Sequence, residues 1–528
     1  MDRVKESLLI SKEVHTIYED ILNSYVADFY VENHWNKLSN SWKIFFESAN
    51  LSDIGFIKLI IQHSISRDQK QLSQSMTLPE PFMKFFWKSI KEKKRHELAL
   101  MSAKSYETAL KSGCKYIVDI GSGVGHFSRM LAYGYGFTVC TFEANPDLVK
   151  QAYILDSQFE KILDIKKIPH KCKTSTVHIN KRIENDLTSQ EFVALVKEAF
   201  KLDIDNFQFG IVGLHPCGNL GPTLLRLYSE SKNANFINIA SCCYMKLGLS
   251  TDFVGFPLSQ FCINNNFNLS YLSCEIACHS IENYSNKLKL GLYNNLKVHA
   301  FRAALEQILE QIDPSLRHKQ LCGVKYQDNL SVEEYCTKAL RRLDLNIPES
   351  VFVKFDKIID KTWKHVVCFY SVRLLLAPLV ETIILYDRML FVRENTGCCL
   401  IEPVFDCAIS PRNHVLTAYK LFETYSLFYS IEIDYTLFGK DVQLETLGIE
   451  TLQLPPRSTD LNPIEHAWNL LKQRLSNHQP LPITHRELRA IISLTWANIP
   501  QEELSNFIEG MQGKCQAVID ALGGHTTN

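Results

Sequence analysis

Three sets of residues in this chain have the types and spacing to do chemistry. The first is "YIVDIGSGVGHFSRML", Tyr116 to Leu131, where an apolar run meets Gly121, Gly123 and Gly125. Glycines at such a turn let the backbone approach a ligand that a side chain would block. The dinucleotide fingerprint is G-x-G-x-x-G, whereas here the spacing is G-x-G-x-G and His126 stands in the place of the third fingerprint glycine. Asp119 precedes the glycines. A carboxylate there faces a pyrophosphate badly but suits a cationic amino group, through water or the backbone. The next apolar run ends "FEANPDL", which places Glu143 as an acceptor for two ribose hydroxyls. Strand, acidic-glycine turn, helix, strand and acid is the order that holds S-adenosyl-L-methionine, a ligand with a sulfonium and a free amino acid instead of a diphosphate. Asp119, Gly121, Gly123, Gly125 and Glu143 are therefore the expected cofactor contacts. A ligand-free strand–helix turn and a nicotinamide dehydrogenase are the alternatives.

The second set is "GLHPCGNLGPTLLRLY" (Gly213 to Tyr228) with "NIASCCYMKL" (Asn238 to Leu247). Both follow apolar runs, so both are expected on the same sheet edge as the glycine turn. His215, Cys217, Asn219, Cys242, Cys243 and Tyr244 would then rim one pocket. "CEIACHSIENY" adds Cys278 and His279. Three readings stand side by side: small packing residues, a substrate and methyl-transfer pocket, and a zinc site. Cys and His are suitable zinc donors. Their spacing matches no standard closed site and contains no C-x-x-C pair, so no metal ligand is assigned.

These residues need a frame to position them. From about 113 to 300, the runs "YIVDIG", "TVCTFEA", "VHIN", "FQFGIVGLH", "FINIASCC" and "LSYLSCEIA" alternate with helical stretches. That alternation predicts an α/β fold, a mostly parallel sheet with helices on both faces. Its ligands bind outside the carboxyl ends of the strands, at the switch point. Residues 1 to about 100 read as helical. The basic segment Lys91 to Arg95 is either a solvated helix face or a patch facing an RNA substrate. From about 301 to 420 the chain is again mainly helical, with "PRNHVLTAYKL" as a closing strand.

Bulk properties narrow the class. The net charge is -1, so no global basic field draws the chain to nucleic acid. The 16 cysteines lack the regular spacing of a disulfide scaffold, and the charged N-terminus lacks a signal-peptide core. Reduced thiols in a cytoplasmic or nuclear protein are expected. The segment Val366 to Val392 is strongly apolar, but Arg373 and Glu381 interrupt it and Asp387 and Arg388 follow. Each such charge at a bilayer centre costs about 2.5–3.5 kcal/mol on insertion scales. A buried core helix, and no membrane partner, is the reading.

"DIGSGVGHFSRML", "GLHPCGNLGPTLLR", "ASCCYMKL", "ACHSIENY" and "FRAALEQIL" together resemble the methyltransferase-like protein 25 family. The similarity is greatest to its 25B branch, the ribosomal RNA adenine dimethylase domain-containing proteins. "LLLAPLVETIILYDRMLF" and "SPRNHVLTAYK" resemble that branch's C-terminal region, so the likeness runs over roughly residues 20 to 420. It implies a class I (Rossmann-like) methyltransferase sheet with helical N- and C-terminal additions. It also implies S-adenosylmethionine as cofactor and RNA, or a protein, as methyl acceptor. The family's H-x-C-G-D-L appears here with Asn219 in place of the acid. The [DNS]-P-P-[YF] motif of amino-adenine methylases is absent, which leaves the acceptor open. A degenerate fold serving as a binding or scaffold module is the alternative.

The third set is the tail. "LPPRSTDLNPIEHAWNLLKQRL" and the sequence to Asn528 resemble the end of a Tc1/mariner transposase catalytic domain, a partial RNase H-like (DDE superfamily) fold. That chemistry needs three carboxylates around two metal ions. Only Glu465 has a counterpart here, so the tail is expected to be inactive and DNA is not an expected partner. The expected organisation is a helical region at 1–100, the methyltransferase domain at 101–300, a helical region at 301–425, a join at 426–444 and the transposase-like fragment at 445–528.

Overall fold

The computed structural model describes residues 2–48, 64–70 and 78–420, apart from 173–174, 205, 251–252, 290–292, 328–329, 344 and 346. Met1–Phe422 form one compact unit and Glu423–Asn528 a second. The expectations for the join and the tail, Glu465 included, lie outside the described residues.

Five strands of the first unit are β1 (Tyr116–Ile120), β2 (Thr138–Glu143), β3 (Val177–Asn180), β4 (Phe209–Leu214) and β5 (Ala234–Ala240). A two-stranded ribbon, β6 (Leu249–Ser250) and β7 (Phe253–Val254), follows, and β8 (Leu400–Pro403) and β9 (His414–Tyr419) close the unit. The main sheet has seven strands in the order β3-β2-β1-β4-β5-β9-β8. Strands β1 to β5 are parallel, and β9 is antiparallel to both neighbours. Every residue of β4, β5 and β9 is buried. Their near-continuous apolar sequences suit strands covered on both faces.

The helices that matter for the site are α1 (Glu92–Ser112), α2 (Pro146–Lys166), α3 (Leu220–Glu230), α4 (Glu349–Leu375) and α5 (Ala377–Thr396). Helix α1 packs against β5, where Asn238 Nδ2 donates to Thr108 Oγ1 at 3.1 Å. Helix α2 begins at Pro146, which needs no donor at the first turn, and Asn145 Oδ1 caps it by accepting from Asp147 N.

One expected strand is a helix. "LSYLSCEIA" folds as a helix over Tyr271–Ile276, capped by Ser270, whose Oγ accepts from Ser273 N at 3.0 Å. Its buried residues are Ser273, Cys274 and Ile276. That grouping is a helical stripe, which a short apolar run does not reveal.

The apolar segment Val366 to Val392 is two helices, α4 and α5, joined at Leu376 with Pro378 in the first turn of α5. By length and composition Glu349–Thr396 could cross a membrane, but 78% of its most apolar window is buried within the protein. Arg373, Glu381 and Asp387 have internal partners. Arg373 donates to Leu272 O at 2.9 Å, Glu381 accepts from Tyr244 Oη at 3.0 Å and from Arg67, and Asp387 accepts from Leu258 N and Ser259 N, both at 2.8 Å.

Candidate functional site

The strand order reverses between β1 and β4, so the chain leaves these strands in opposite directions and a crevice opens at their carboxyl ends. The glycine turn fills one side of it. Gly121, Gly123 and Gly125 have φ of +72°, +58° and +74°. At Gly125 the requirement is also steric, since a Cβ would lie 3.0 Å from the His178 ring. At Gly123 a Cβ would meet nothing within 4 Å, because the turn faces open space there.

Glu143, at the end of β2, ties this turn to the next strand. Its Oε2 accepts from Gly123 N and its Oε1 from Asn145 N, each at 2.9 Å. Each carboxylate oxygen keeps a second lone pair for a ligand hydroxyl. Behind the turn a buried network holds the geometry. Arg129 Nε donates to Asp156 Oδ1 at 2.6 Å, and His178 spans Asp156 Oδ2 and Thr141 Oγ1 at 2.9 Å each.

A cavity of about 250 Å³ opens beside the turn, lined by Lys94, Asp119, Gly121, Ser122, Gly123, Val124, His126, Phe127 and Leu214. Asp119 is 1% exposed. Burial pushes its carboxyl up to about 6, against the hydrogen bond from Ser128 Oγ at 2.5 Å and the nearby Lys94 charge. Lys94 shifts the other way, lowered by burial against the attraction of Glu97 and Asp119. His126 is pushed down to about 4 by burial and by the Arg129 charge. Arg129 can only donate, so His126 Nδ1 accepts from it at 3.1 Å and the neutral ring carries its proton on Nε2. The cavity therefore offers one carboxylate, one ammonium, one imidazole donor and a row of backbone atoms.

The second constellation lies where β4 and β5 end. Leu214 pairs with Ala240, and His215 N donates to Ala240 O at 3.0 Å. His215 has φ of +73°, unusual for a residue with a side chain. Its Nε2 lies 3.1 Å from Glu97 Oε2, and Glu97 Oε1 accepts from Ser410 Oγ at 2.7 Å. Burial raises the Glu97 carboxyl, but its bond with His215 and the neighbouring charges outweigh burial and hold it at about 2. The sulfurs of Cys217, Cys242 and Cys243 form a triangle with all three separations at 3.3 Å. Hydrogen bonding from Cys242 pulls the Cys217 thiol below the usual thiol range, against its burial.

Residues 91–249 match the profile of a family described as "Methyltransferase domain". Over this segment the chain is similar to that family. The chain is also 24% identical over 231 residues to the Mus musculus protein "Probable methyltransferase-like protein 25", a span of 40% of this chain and 37% of the relative. The chain thus spans less than two-fifths of the length of that curated relative. A further 75 residues, in the C-terminal region, are 36% identical to the "Transposable element Tcb1 transposase" of Caenorhabditis briggsae, covering 14% of this chain and 27% of the transposase. Among solved structures, the magnesium protoporphyrin IX methyltransferase of Synechocystis, with bound S-adenosylhomocysteine, aligns at 10% identity and a TM-score of 0.18, over 30% of this chain and 64% of that one.

Within the matched segment, Asp119, Gly121 and Gly123 line the cavity, Gly125 packs against His178, and Glu143 holds the turn by accepting from Gly123 N. The expected pocket rim divides. His215, Cys217, Cys242 and Cys243 come together at the ends of β4 and β5. Asn219 does not face a ligand: its Oδ1 accepts from Gly248 N at 2.6 Å and pins the loop before α3 to the turn before β6. Tyr244 is not on the rim either. It is 2% exposed and its Oη donates to Glu381 inside the core. Cys278 donates to Cys274 O at 3.3 Å, and His279 bridges Glu275 and Tyr370.

Sequence reasoning gave Lys94 only as part of the basic segment Lys91 to Arg95, solvated or facing RNA, and did not single out Glu97. A signal was present. Lys94, Glu97, Met101, Ser105 and Thr108 recur at helical spacing, and the last four of these are buried. Lys94 thus sits at the end of an inward-facing stripe, not on a solvated one.

Proposed function

We propose that this chain is an S-adenosylmethionine-dependent methyltransferase whose acceptor is RNA. The observation that carries the cofactor reading is the glycine turn at the β1/β4 crevice, open at Gly123 and tied by its amide to Glu143. The residues fit the ligand. Asp119 offers a carboxylate to the ligand's ammonium, Lys94 a cation to its carboxylate, and Glu143 spare lone pairs to its ribose hydroxyls. The cofactor, when bound, supplies a methyl group on a positively charged sulfur. The domain's contribution is to hold donor and acceptor in line and to exclude water, which is proximity more than acid–base chemistry.

Support for a polyanionic acceptor comes from the start of α1 and the residue before it. Lys91, Lys93 and Arg95 are exposed, and Lys94 between them lines the cavity. A basic rim at the mouth of a donor site attracts a phosphate backbone despite a net charge of -1. The 15 described cysteines are free thiols, which supports a reducing compartment, cytoplasm or nucleus. The tail is proposed to be catalytically inert, since Glu465 alone cannot hold two metal ions.

The test is transfer from S-adenosylmethionine carrying a labelled methyl group, with total RNA or total protein as acceptor. Label in ribonuclease-sensitive material is the expected result. Label in protease-sensitive material would replace the acceptor class. Cofactor binding with no transfer to either would favour a scaffold module.

A further inference from the structure

Next to the donor cavity is a group of side chains that the methyl-transfer reading does not use. Cys217 lies three residues past the end of β4, and Cys242 and Cys243 lie just past the end of β5. Because Leu214 is in register with Ala240, the chain leaves both strands at the same level. The two loops are packed against each other. Gly218 has φ of +57°, and a Cβ there would lie 2.6 Å from Lys246 O, so the Cys217 loop is seated directly on the turn over Tyr244–Lys246. The three thiols are therefore a preformed set. Cys217 and Cys243 are half-buried and Cys242 is buried, so the set is reached from one side.

A second observation concerns charge. Arg388 is 2% exposed, and its Nε and Nη1 have no hydrogen-bond partner among the described residues. Ser241 Oγ, directly before the cysteine pair, has none either. The Arg388 guanidinium lies over the Tyr244 ring, 5.6 Å from its centroid. A Cβ on Gly221 would touch both Arg388 Nη1 and Ser241 Oγ, which puts these two groups on one small patch beside the cysteines. Asp387, its chain neighbour, is already engaged by Leu258 N, Ser259 N and Ser259 Oγ. A buried guanidinium with two unbonded nitrogens is costly, and the neighbouring Asp387 carboxylate is taken up by backbone amides. Three thiolates around a divalent ion carry one net negative charge and would add to the attraction on Arg388.

We propose that Cys217, Cys242 and Cys243 bind one thiophilic divalent ion of the zinc class through their three sulfurs. A tetrahedral ion with bonds of about 2.3 Å spaces its sulfurs about 3.75 Å apart, so the 3.3 Å triangle opens by about 0.5 Å on binding. The fourth position is left to water or an added ligand, since no further carboxylate, His or Cys among the described residues joins the cluster. The site stands whether or not the chain transfers methyl groups.

The experiment is a titration of reduced, metal-free, full-length protein with cadmium chloride, read by the ultraviolet thiolate-to-metal charge-transfer band, with zinc chloride as competitor. The expected band saturates near one equivalent and is displaced by zinc. Cys217→Ser and Cys243→Ser each weaken binding by about tenfold or more. Cys278→Ser, outside the triangle, leaves the band unchanged. Circular dichroism and thermal melting separate loss of a ligand from loss of fold. Cys243→Ser, at a half-buried position, is decisive if Cys217→Ser unfolds. A titration without a saturable band, or a band unaltered in the folded Cys243→Ser protein, would overturn the site.

Discussion

The Glu143 carboxylate accepts the Gly123 amide at 2.9 Å, joining the end of β2 to the middle of the glycine turn. Each depends on the other. Without Glu143 the turn loses the acceptor that holds it open, and without a glycine at 123 the space it opens onto is filled. Gly123→Asp should therefore keep the fold, since its Cβ meets nothing within 4 Å, at a cost of about 1–2 kcal/mol for the left-handed backbone. Affinity for S-adenosylhomocysteine should fall by about 100-fold or more, roughly 2.7 kcal/mol, in a calorimetric titration. Unchanged affinity would remove the turn from the site.

Glu143→Ala removes the acceptor of two backbone amides, Gly123 N and Asn145 N. A loss of about 1–2 kcal/mol in stability is expected. Cofactor affinity should drop by about tenfold. Glu143→Gln should restore the stability more than the affinity, because an amide keeps one acceptor but loses the charge.

The pH dependence of cofactor binding follows from Asp119. Its carboxyl sits near 6 in the free protein, raised by burial. A ligand ammonium needs it ionised. Affinity should weaken as pH falls through 6. For the ligand-free protein the sign is opposite: a raised folded-state value means that the buried anion costs stability above 6, and stability is regained as pH falls toward the unfolded value. Lys94→Met removes a cation that favours the ionised form, so the midpoint of the binding profile should move to higher pH. A profile that does not move would show that Lys94 does not act on Asp119.

The Val366 to Val392 segment should remain with the extractable fraction on carbonate treatment. Arg373, Asp387 and Glu381 are bonded inside the protein, as with Asp387 to Ser259 N and Glu381 to Tyr244 Oη, and Arg388 is buried. Retention in the membrane pellet would contradict the reading of α4 and α5 as core helices.

Removal of residues 445–528 should leave the affinity for S-adenosylhomocysteine unchanged. Every cavity-lining residue lies between Lys94 and Leu214. Glu465→Gln should be silent, and full-length protein should show no magnesium- or manganese-dependent DNA nicking. Nicking lost in that variant would revive a nuclease role for the tail.

The sequence by itself determined the parts of the site that are local. Asp119, the three glycines and Glu143 lie within 25 residues of chain, and the apolar runs around them state the strand–turn–helix–strand order directly. Backbone requirements such as a positive φ are met by residue type alone, so they can be read from one dimension. Tertiary structure decided everything that depends on which residues meet from distant segments. It turned "LSYLSCEIA" into a helix, because an apolar run that short fits either period. It drew Tyr244 into the core, where Glu381, 137 positions away, takes its hydroxyl. It aimed Lys94 at the cavity, because the stripe running from Glu97 to Thr108 had to face the sheet. It also closed Cys217 onto Cys242 and Cys243, since the register of β4 on β5 brings the two strand ends level. Side-chain chemistry is written in the sequence, but the distance between two side chains is set by the packing of the elements that carry them.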